Sequence, residues 1–128
     1  MGRNRTFDEA DVVRRSARLF LSHGYEGTSI DELLTATGLH RGSLYRAFGS
    51  KRGLFLACLE AHLTERDPGG SDTLDLVLVA LLELAPRDKE VRAALRAWLT
   101  QLDHPDLTLG ARLLQRAHIT TKIPGEPR

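Results

Sequence analysis

Four cationic side chains and no acidic one lie between Gly38 and Arg52. The four are Arg41, Arg46, Lys51 and Arg52. The whole chain is nearly balanced, with 18 lysines and arginines against 17 aspartates and glutamates, so this excess is local. Lysine and arginine neutralise phosphates, and arginine also hydrogen-bonds the edge of guanine. The stretch therefore predicts a surface that contacts DNA.

Two consecutive predicted helices begin with cations, although a helix N-terminus itself carries partial positive charge. Arg41 lies in the first turn of one helix, and Lys51 and Arg52 lie in the first turn of the next. An earlier predicted helix starts with the expected acids, Asp31 and Glu32. Free N–H groups and cations at one helix start attract anions, so the pattern favours phosphate binding. The alternative is that these long side chains are simply solvated.

Helix signals place these cations on the third and fourth helices of the chain. Two capping boxes, Thr6 with Glu9 and Ser29 with Glu32, mark the first two helix starts. A glycine-containing turn that leads into a basic helix is typical of a helix–turn–helix unit. The predicted helices of this half cover residues 6–23, 29–38, 40–48 and 50–66.

The second half predicts more helices after a linker rich in glycine, proline and aspartate. Its helices are expected over 74–84, over 89–102 and from a cap at Asp106 to about Ala117. No alternating strand pattern occurs, so the fold class is all-α. We expect an N-terminal three-helix DNA-binding domain joined through a fourth helix to a small C-terminal helical bundle. The ranges are 1–50 for the DNA-binding domain, 51–66 for the connecting helix, 67–73 for the linker, 74–119 for a regulatory and dimerisation domain, and 120–128 for a disordered tail.

Other kinds of site find little support among the residues. Five histidines are scattered, and the single cysteine, Cys58, has no second ligand at metal-binding spacing, so neither metal nor cofactor is expected. No glycine-rich phosphate loop or nucleophile motif occurs, so we do not expect an enzyme. The longest apolar run is interrupted by Asp75 and Glu83 and is too short to cross a bilayer. We expect a soluble cytoplasmic protein with no membrane partner.

Between Thr6 and Leu63 several motif residues follow one another in a recognisable order. They are Thr28 to Leu33, Ala36, Gly38 and Leu39, Gly42 to Tyr45, Phe48, Ser50 and Lys51, and Leu54 and Phe55. This series resembles the N-terminal domain of TetR-type transcriptional regulators. The resemblance implies a homodimer that binds a palindromic operator in double-stranded DNA and usually represses transcription. It also implies release of the DNA when a small molecule fills the C-terminal domain.

The resemblance further implies roles for individual residues. Thr28, Tyr45 and Lys51 match phosphate-contacting positions of the family. The positions that face bases or nearby phosphates are His40, Arg41, Ser43 and Arg46. Arg41 or Arg46 is the better candidate for direct readout, because arginine binds guanine through two hydrogen bonds.

Two of these positions keep a second interpretation. Tyr45 is either a phosphate contact or a partly buried core residue with an exposed hydroxyl. Gly42 costs a helix about 1 kcal/mol relative to alanine. It either permits a close approach to DNA or to the first helix, or is merely tolerated.

The chain departs from the family pattern at His40 and in its C-terminal half. A serine often caps the third helix in the family, so His40 implies a weaker or missing cap. The C-terminal half predicts a shortened regulatory domain, with Leu78, Leu82 and Trp98 as candidate residues for a small apolar effector. Trp98 is alternatively a core residue.

The predicted dimer interface consists of the apolar faces of residues 91–102 and 107–119. The main alternative to a DNA-binding repressor is a truncated regulator homologue. Such a protein would act as an interaction module without an operator of its own.

Overall fold

The computed structural model describes residues 7–64 and 70–120, and all of their regular structure is helical. The helices are α1 (Glu9–His23), α2 (Ile30–Thr37), α3 (Arg41–Phe48), α4 (Lys51–Leu63), α5 (Ser71–Glu83), α6 (Lys89–Leu99) and α7 (Pro105–Arg116), with a 3-10 turn at Ala85–Arg87. The predicted all-α fold class is therefore confirmed. The predicted capping residue Thr6, the first three residues of the predicted linker and nearly all of the predicted tail lie outside the described residues.

The starts of α1 and α2 are both capped by side chains. Asp8 caps α1 by accepting a hydrogen bond of 3.0 Å from the Ala10 N–H. The predicted capping box of α2 is confirmed, because Ser29 accepts from the Glu32 N–H at 3.0 Å and Glu32 accepts from the Ser29 N–H at 2.9 Å. These bonds satisfy N–H groups that a helix leaves without partners at its first turn.

The turn between α2 and α3 depends on a glycine. Gly38 adopts a left-handed backbone conformation (φ 75°, ψ 8°) that an L side chain rarely accepts. Leu39 then turns into the core, and His40 begins α3 without a side-chain cap, as the sequence predicted. The turn therefore fixes the angle at which α3 leaves α2.

Helix α4 packs on α1, and the largest completely buried side chains of the N-terminal half, Phe20 and Phe55, come one from each of these two helices. The ring centroids of Phe20 and Phe55 are 5.0 Å apart in an edge-to-face arrangement. The start of α4 lies so close to the end of α3 that a Cβ on Gly53 would be 1.9 Å from the Phe48 carbonyl oxygen. The α3–α4 junction therefore requires glycine at this position, which the sequence reading had not recognised.

Helix α5 runs through the centre of the molecule, in contact with α1, α4, α6 and α7. Its residues 73–80 are buried on every side, as the continuous apolar run predicted. It begins at Ser71, inside the predicted linker. Its Asp75 lies almost buried and is paired with Arg112 at 2.6 Å and Arg116 at 3.0 Å, both from α7.

The last two helices differ from the prediction in their ends. Helix α6 stops at Leu99, three residues before the predicted end, and turns through Leu102 to α7. The N-cap of α7 is His104, which makes no side-chain capping bond, so the predicted cap at Asp106 is wrong. Pro105 occupies the first turn instead, where a missing N–H costs nothing.

One hydrophobic core extends from α1 to α6. It joins Phe20, Leu44 and Phe55 of the N-terminal helices to Leu76 and Trp98 of the C-terminal ones. The two predicted domains therefore share their interior, and a change in one has a direct packing route to the other.

Candidate nucleic-acid interface

Helix α3 is amphipathic in the sense needed for a groove-binding helix. Leu44 is completely buried and anchors one face, while the opposite face is exposed. The exposed residues are His40, Arg41, Gly42, Tyr45 and Arg46, with Ser43 half-buried beside them. The structure thus brings six of the eight predicted DNA-contacting residues onto one surface.

The two arginines on this surface have different partners. The Arg41 guanidinium lies 2.6 Å from an Asp31 carboxylate oxygen at the start of α2, and both side chains are exposed. Arg46 makes a longer bond of 3.3 Å to the Ser43 hydroxyl. Because an exposed ion pair contributes only about 0–1 kcal/mol, DNA displaces Asp31 from Arg41 at little cost.

The surroundings of Tyr45 and Gly42 narrow the interpretations that the sequence left open for these two residues. The Tyr45 side chain is 41% exposed, which places it on the surface and not in the core. A Cβ on Gly42 would meet only the Arg46 Nη1 atom, at 3.3 Å. Gly42 therefore does not serve a close approach to α1, which leaves tolerance or contact with DNA.

Lys51 lies at the start of α4, three residues after the end of α3, and its ammonium has a defined position. Its Nζ atom lies 4.3 Å from the centroid of the Tyr25 ring. That ring packs against Phe20 and Phe55, at centroid distances of 6.0 and 5.3 Å. Partial burial raises the pKa of the Tyr25 hydroxyl. The cation–π contact holds Lys51 in place while its charge remains available to an anion.

The structure corrects the prediction for Thr28. This side chain is completely buried, and its hydroxyl donates to the carbonyl oxygens of Gly24 at 2.7 Å and Leu19 at 3.3 Å. A hydroxyl in this position closes the α1–α2 turn and is shielded from a phosphate. We therefore leave Thr28 out of the DNA-contacting surface.

Arg52 also differs from the simple picture of a cationic helix start. It donates two hydrogen bonds to Asp88, of 2.6 and 3.0 Å, and a third of 2.7 Å to Glu90. These bonds hold the pKa of the Asp88 carboxyl down to about 2 and raise the pKa of Arg52. Of the two predicted cations at the start of α4, Arg52 is paired with two carboxylates, and Lys51 has no carboxylate partner among the described residues.

The candidate effector residues do not form a common cavity. Leu78 and Trp98 are buried in the core, whereas Leu82 is 67% exposed. The three predicted residues therefore do not line one pocket together. An apolar groove of about 590 Å³ lies nearby instead. Its lining includes Leu81, Ala85, Pro86, Leu95, Leu99 and Leu102, with Arg92 and Arg96 beside them. The break in the apolar pattern at Pro86 was the one sequence signal for this site.

The described ranges contain neither a metal-binding cluster nor a helix that could span a membrane. No cluster of three or more histidine, cysteine, aspartate or glutamate side chains there is arranged to hold a metal ion. None of the helices within 7–64 and 70–120 has the length and apolar character needed to cross a membrane.

Known sequences identify the N-terminal helices. Residues 12–58, from α1 to the middle of α4, match the bacterial regulatory proteins of the tetR family. This segment of the chain is similar to the TetR family. This is a family of transcriptional regulators and not of enzymes, and the matched range contains every exposed residue of the α3 surface.

Individual proteins that are similar to this chain are regulators of the helix–turn–helix type. The transcriptional regulator YezE of Bacillus subtilis is 41% identical over 75 residues, which is 59% of this chain and 39% of YezE. The transcriptional repressor ComR of Escherichia coli is 40% identical over 62 residues, 48% of this chain and 30% of ComR. The transcriptional activator FasR of Mycolicibacterium smegmatis is 28% identical over 89 residues, 70% of this chain and 37% of FasR. The chain thus spans well under half the length of these relatives.

Proposed function

We propose that this chain is a TetR-type regulator that binds double-stranded DNA by inserting α3 into the major groove, and that it regulates transcription by doing so. The observation that carries the proposal is the division of α3 into a buried anchor, Leu44, and an exposed face with two arginines. A helix held in this way presents its side chains to base edges without losing its packing on the core.

The exposed residues have separate tasks in this proposal. Lys51 and the Tyr45 hydroxyl bind backbone phosphates, which positions the helix but carries little sequence information. Arg46 reads a guanine through its O6 and N7 atoms. Arg41 leaves Asp31 to join it, while His40 and Ser43 contact neighbouring bases or phosphates.

Repression is the regulatory outcome that we favour. A protein that occupies its operator excludes other proteins from the same stretch of duplex. The relatives include both a repressor, ComR, and an activator, FasR, so the sign depends on where the operator lies.

The proposed repressor acts as a homodimer through α7. The sequence reading assigned the interface to both of the last two helices, but Val91, Leu95 and Trp98 of α6 are buried in the core. Helix α7 and the residues that follow it instead expose four apolar side chains. They are Leu107 at 66%, Leu113 at 44%, Leu114 at 37% and Ile119 at 52%. Apolar side chains concentrated along one helix are the usual material of a protein–protein interface.

A small apolar effector would fit the groove beside α6. Decanoate is a suitable probe, because its chain matches the apolar lining and its carboxylate matches Arg96. We expect decanoate to raise the melting temperature of the chain and to weaken its binding to DNA. Leu99→Gln, which places an amide in the lining, should abolish both effects while leaving DNA binding without decanoate intact. If decanoate affects Leu99→Gln as strongly as the wild type, the effector binds at a different site.

Selection of bound duplexes from random DNA tests the proposed function directly. A dimeric regulator should enrich a palindrome whose half-sites lie about 34–36 Å, or a multiple of this, apart. An enriched single half-site would contradict the dimer but not the DNA-binding surface. No enrichment at all would contradict the proposed function and favour the interaction-module alternative.

A further inference from the structure

A short segment of the C-terminal half holds the DNA-binding helices at two points. This segment, residues 83–88, contains the end of α5 and the 3-10 turn, and we call it the clamp. At one end, the Glu83 carboxylate accepts hydrogen bonds from the backbone N–H groups of Tyr25 at 3.1 Å and Glu26 at 2.8 Å. At the other end, Asp88 receives the two hydrogen bonds from Arg52.

Each point of the clamp holds a residue that contacts or adjoins Lys51. Glu83 fixes the backbone of Tyr25, whose ring supports the Lys51 ammonium. Asp88 fixes Arg52, the next residue of α4. We propose that Glu83 and Asp88 position Lys51 for its phosphate contact, and that Arg52 is a positioning residue and not a DNA contact. The proposal rests on the DNA-binding function proposed above.

One point of the clamp is rigid because Asp88 is itself held. Asp88 is the N-cap of α6 and accepts from the N–H groups of Glu90 at 3.1 Å and Val91 at 3.2 Å. Its carboxylate therefore has a fixed direction when it receives the planar guanidinium of Arg52. Paired hydrogen bonds of this kind restrict angle as well as distance.

The clamp also forms part of the effector groove. Ala85 and Pro86, at its centre, line the groove, and Arg92 donates a hydrogen bond of 2.6 Å to the Ala85 carbonyl. A molecule seated in the groove would touch the segment whose two ends hold Tyr25 and Arg52. The clamp thus offers the groove a direct physical route to Lys51.

A double-mutant cycle tests the positioning role. We expect Lys51→Gln to weaken duplex binding and to flatten the plot of log K against log salt by about 0.9 per protomer. Asp88→Asn and Arg52→Gln should each weaken binding by up to about tenfold, and no more than Lys51→Gln does. Any flattening of the salt slope by either variant should be no larger than the flattening by Lys51→Gln. In the Lys51→Gln background both should have no further effect, because a positioning residue acts only through the group it positions.

Two features of the design separate positioning from simpler effects. Asparagine is a good N-cap, so Asp88→Asn removes the charge without removing the start of α6. Asp106→Asn changes the net charge by the same amount at the exposed start of α7, so it corrects for general attraction to DNA. Melting temperatures show whether each variant is folded.

Three results would overturn the inference. A further flattening of the salt slope by Arg52→Gln in the Lys51→Gln background would make Arg52 a phosphate contact. Tighter binding by Asp88→Asn than by Asp106→Asn would mean that the acid merely competes with DNA for Arg52. An undiminished effect of Asp88→Asn in the Lys51→Gln background would exclude action through Lys51. Failure of the wild-type chain to bind any duplex would remove the proposed function itself, and the inference with it.

Discussion

At the scale of single residues, the cations of this chain are distinguished by their partners and not by their types. Arg41 is paired with an exposed acid and Arg46 with a hydroxyl. Lys51 lies on an aromatic ring, and Arg52 is held by two acids. The Arg46 side chain makes a single hydrogen bond among the described residues, of 3.3 Å to a neutral hydroxyl. In the proposed complex it is therefore the arginine that has to break the weakest contact before it binds DNA.

Replacing Arg46 with alanine should relax base preference at one position of each half-site. A lost bidentate contact to guanine corresponds to about 1–3 kcal/mol of discrimination. Competition binding with single-base variants of the selected duplex measures this loss. Lys51→Ala is the matched control, since losing a phosphate contact weakens binding to all duplexes alike. Unchanged preference in Arg46→Ala would assign base readout to Arg41.

At the scale of helices, α3 differs from its neighbours in how it begins. Helices α2 and α4 are capped by serines, whereas the His40 side chain makes no capping bond. Helix α3 also lacks acids in its first turn. It is held in the molecule by Leu44 and by the close junction with α4 at Gly53. The helix that meets DNA is thus stabilised by packing and not by its own start.

Restoring a cap should therefore stabilise the chain. His40→Ser places a hydroxyl where it can accept from the N–H of Ser43, and we expect the free energy of unfolding to rise by about 0.5–1 kcal/mol. Ser50→Ala is the control of opposite sign, because Ser50 accepts a bond of 2.9 Å from the Gly53 N–H. Denaturant unfolding measures both changes. A stability unaltered by His40→Ser would mean that the start of α3 is already satisfied by water.

At the scale of the whole molecule, acids of the C-terminal half join it to the N-terminal helices. Glu83 and Asp88 form the clamp, and Arg116 of α7 reaches the Leu21 carbonyl oxygen at 3.3 Å. Together with the continuous core, these bonds make the DNA-binding helices and α5 to α7 one mechanical unit. The apolar side chains of α7 are exposed on the surface of this unit.

Acid should weaken the clamp in a defined pH range. The bonds from Arg52 lower the pKa of Asp88 to about 2, against about 3.9 for an aspartate in an unfolded chain. The ionised form therefore stabilises the folded state above about pH 4, and this contribution disappears as the pH falls towards 2. Denaturant unfolding should show the wild type losing stability faster than Asp88→Asn over this range. Parallel curves throughout would show that the ion pair adds nothing to stability.

The oligomeric state is the second prediction at this scale. Leu107 and Leu114 are seven residues apart and lie on the same face of α7. Leu114→Glu should weaken a dimer formed there by at least about tenfold, because a charge is costly in an apolar interface. Sedimentation equilibrium measures the change, and Gln101→Glu, at an exposed position after α6, is the control. A wild-type chain that remains monomeric at micromolar concentration would contradict the interface.

The sequence by itself determined the presence of the helices, the capping box of α2 and the inward and outward faces of α3. These features follow from interactions between residues a few positions apart, such as Ser29 with Glu32 or Leu44 with its neighbouring turn. The sequence also identified the exposed residues of α3, because one period of hydrophobic spacing is enough to divide a short helix into two faces.

Only the tertiary structure decided which cation is available to DNA. Arg52 and Asp88 are 36 residues apart, and Tyr25 and Glu83 are 58 apart. No periodicity marks such pairs, because they depend on how α4, α5 and α6 pack around a shared core. The same packing buried the Thr28 hydroxyl, turned the apolar face of α6 inwards and left that of α7 exposed. Residue types and spacing thus predicted the surface, and long-range contacts assigned the individual roles on it.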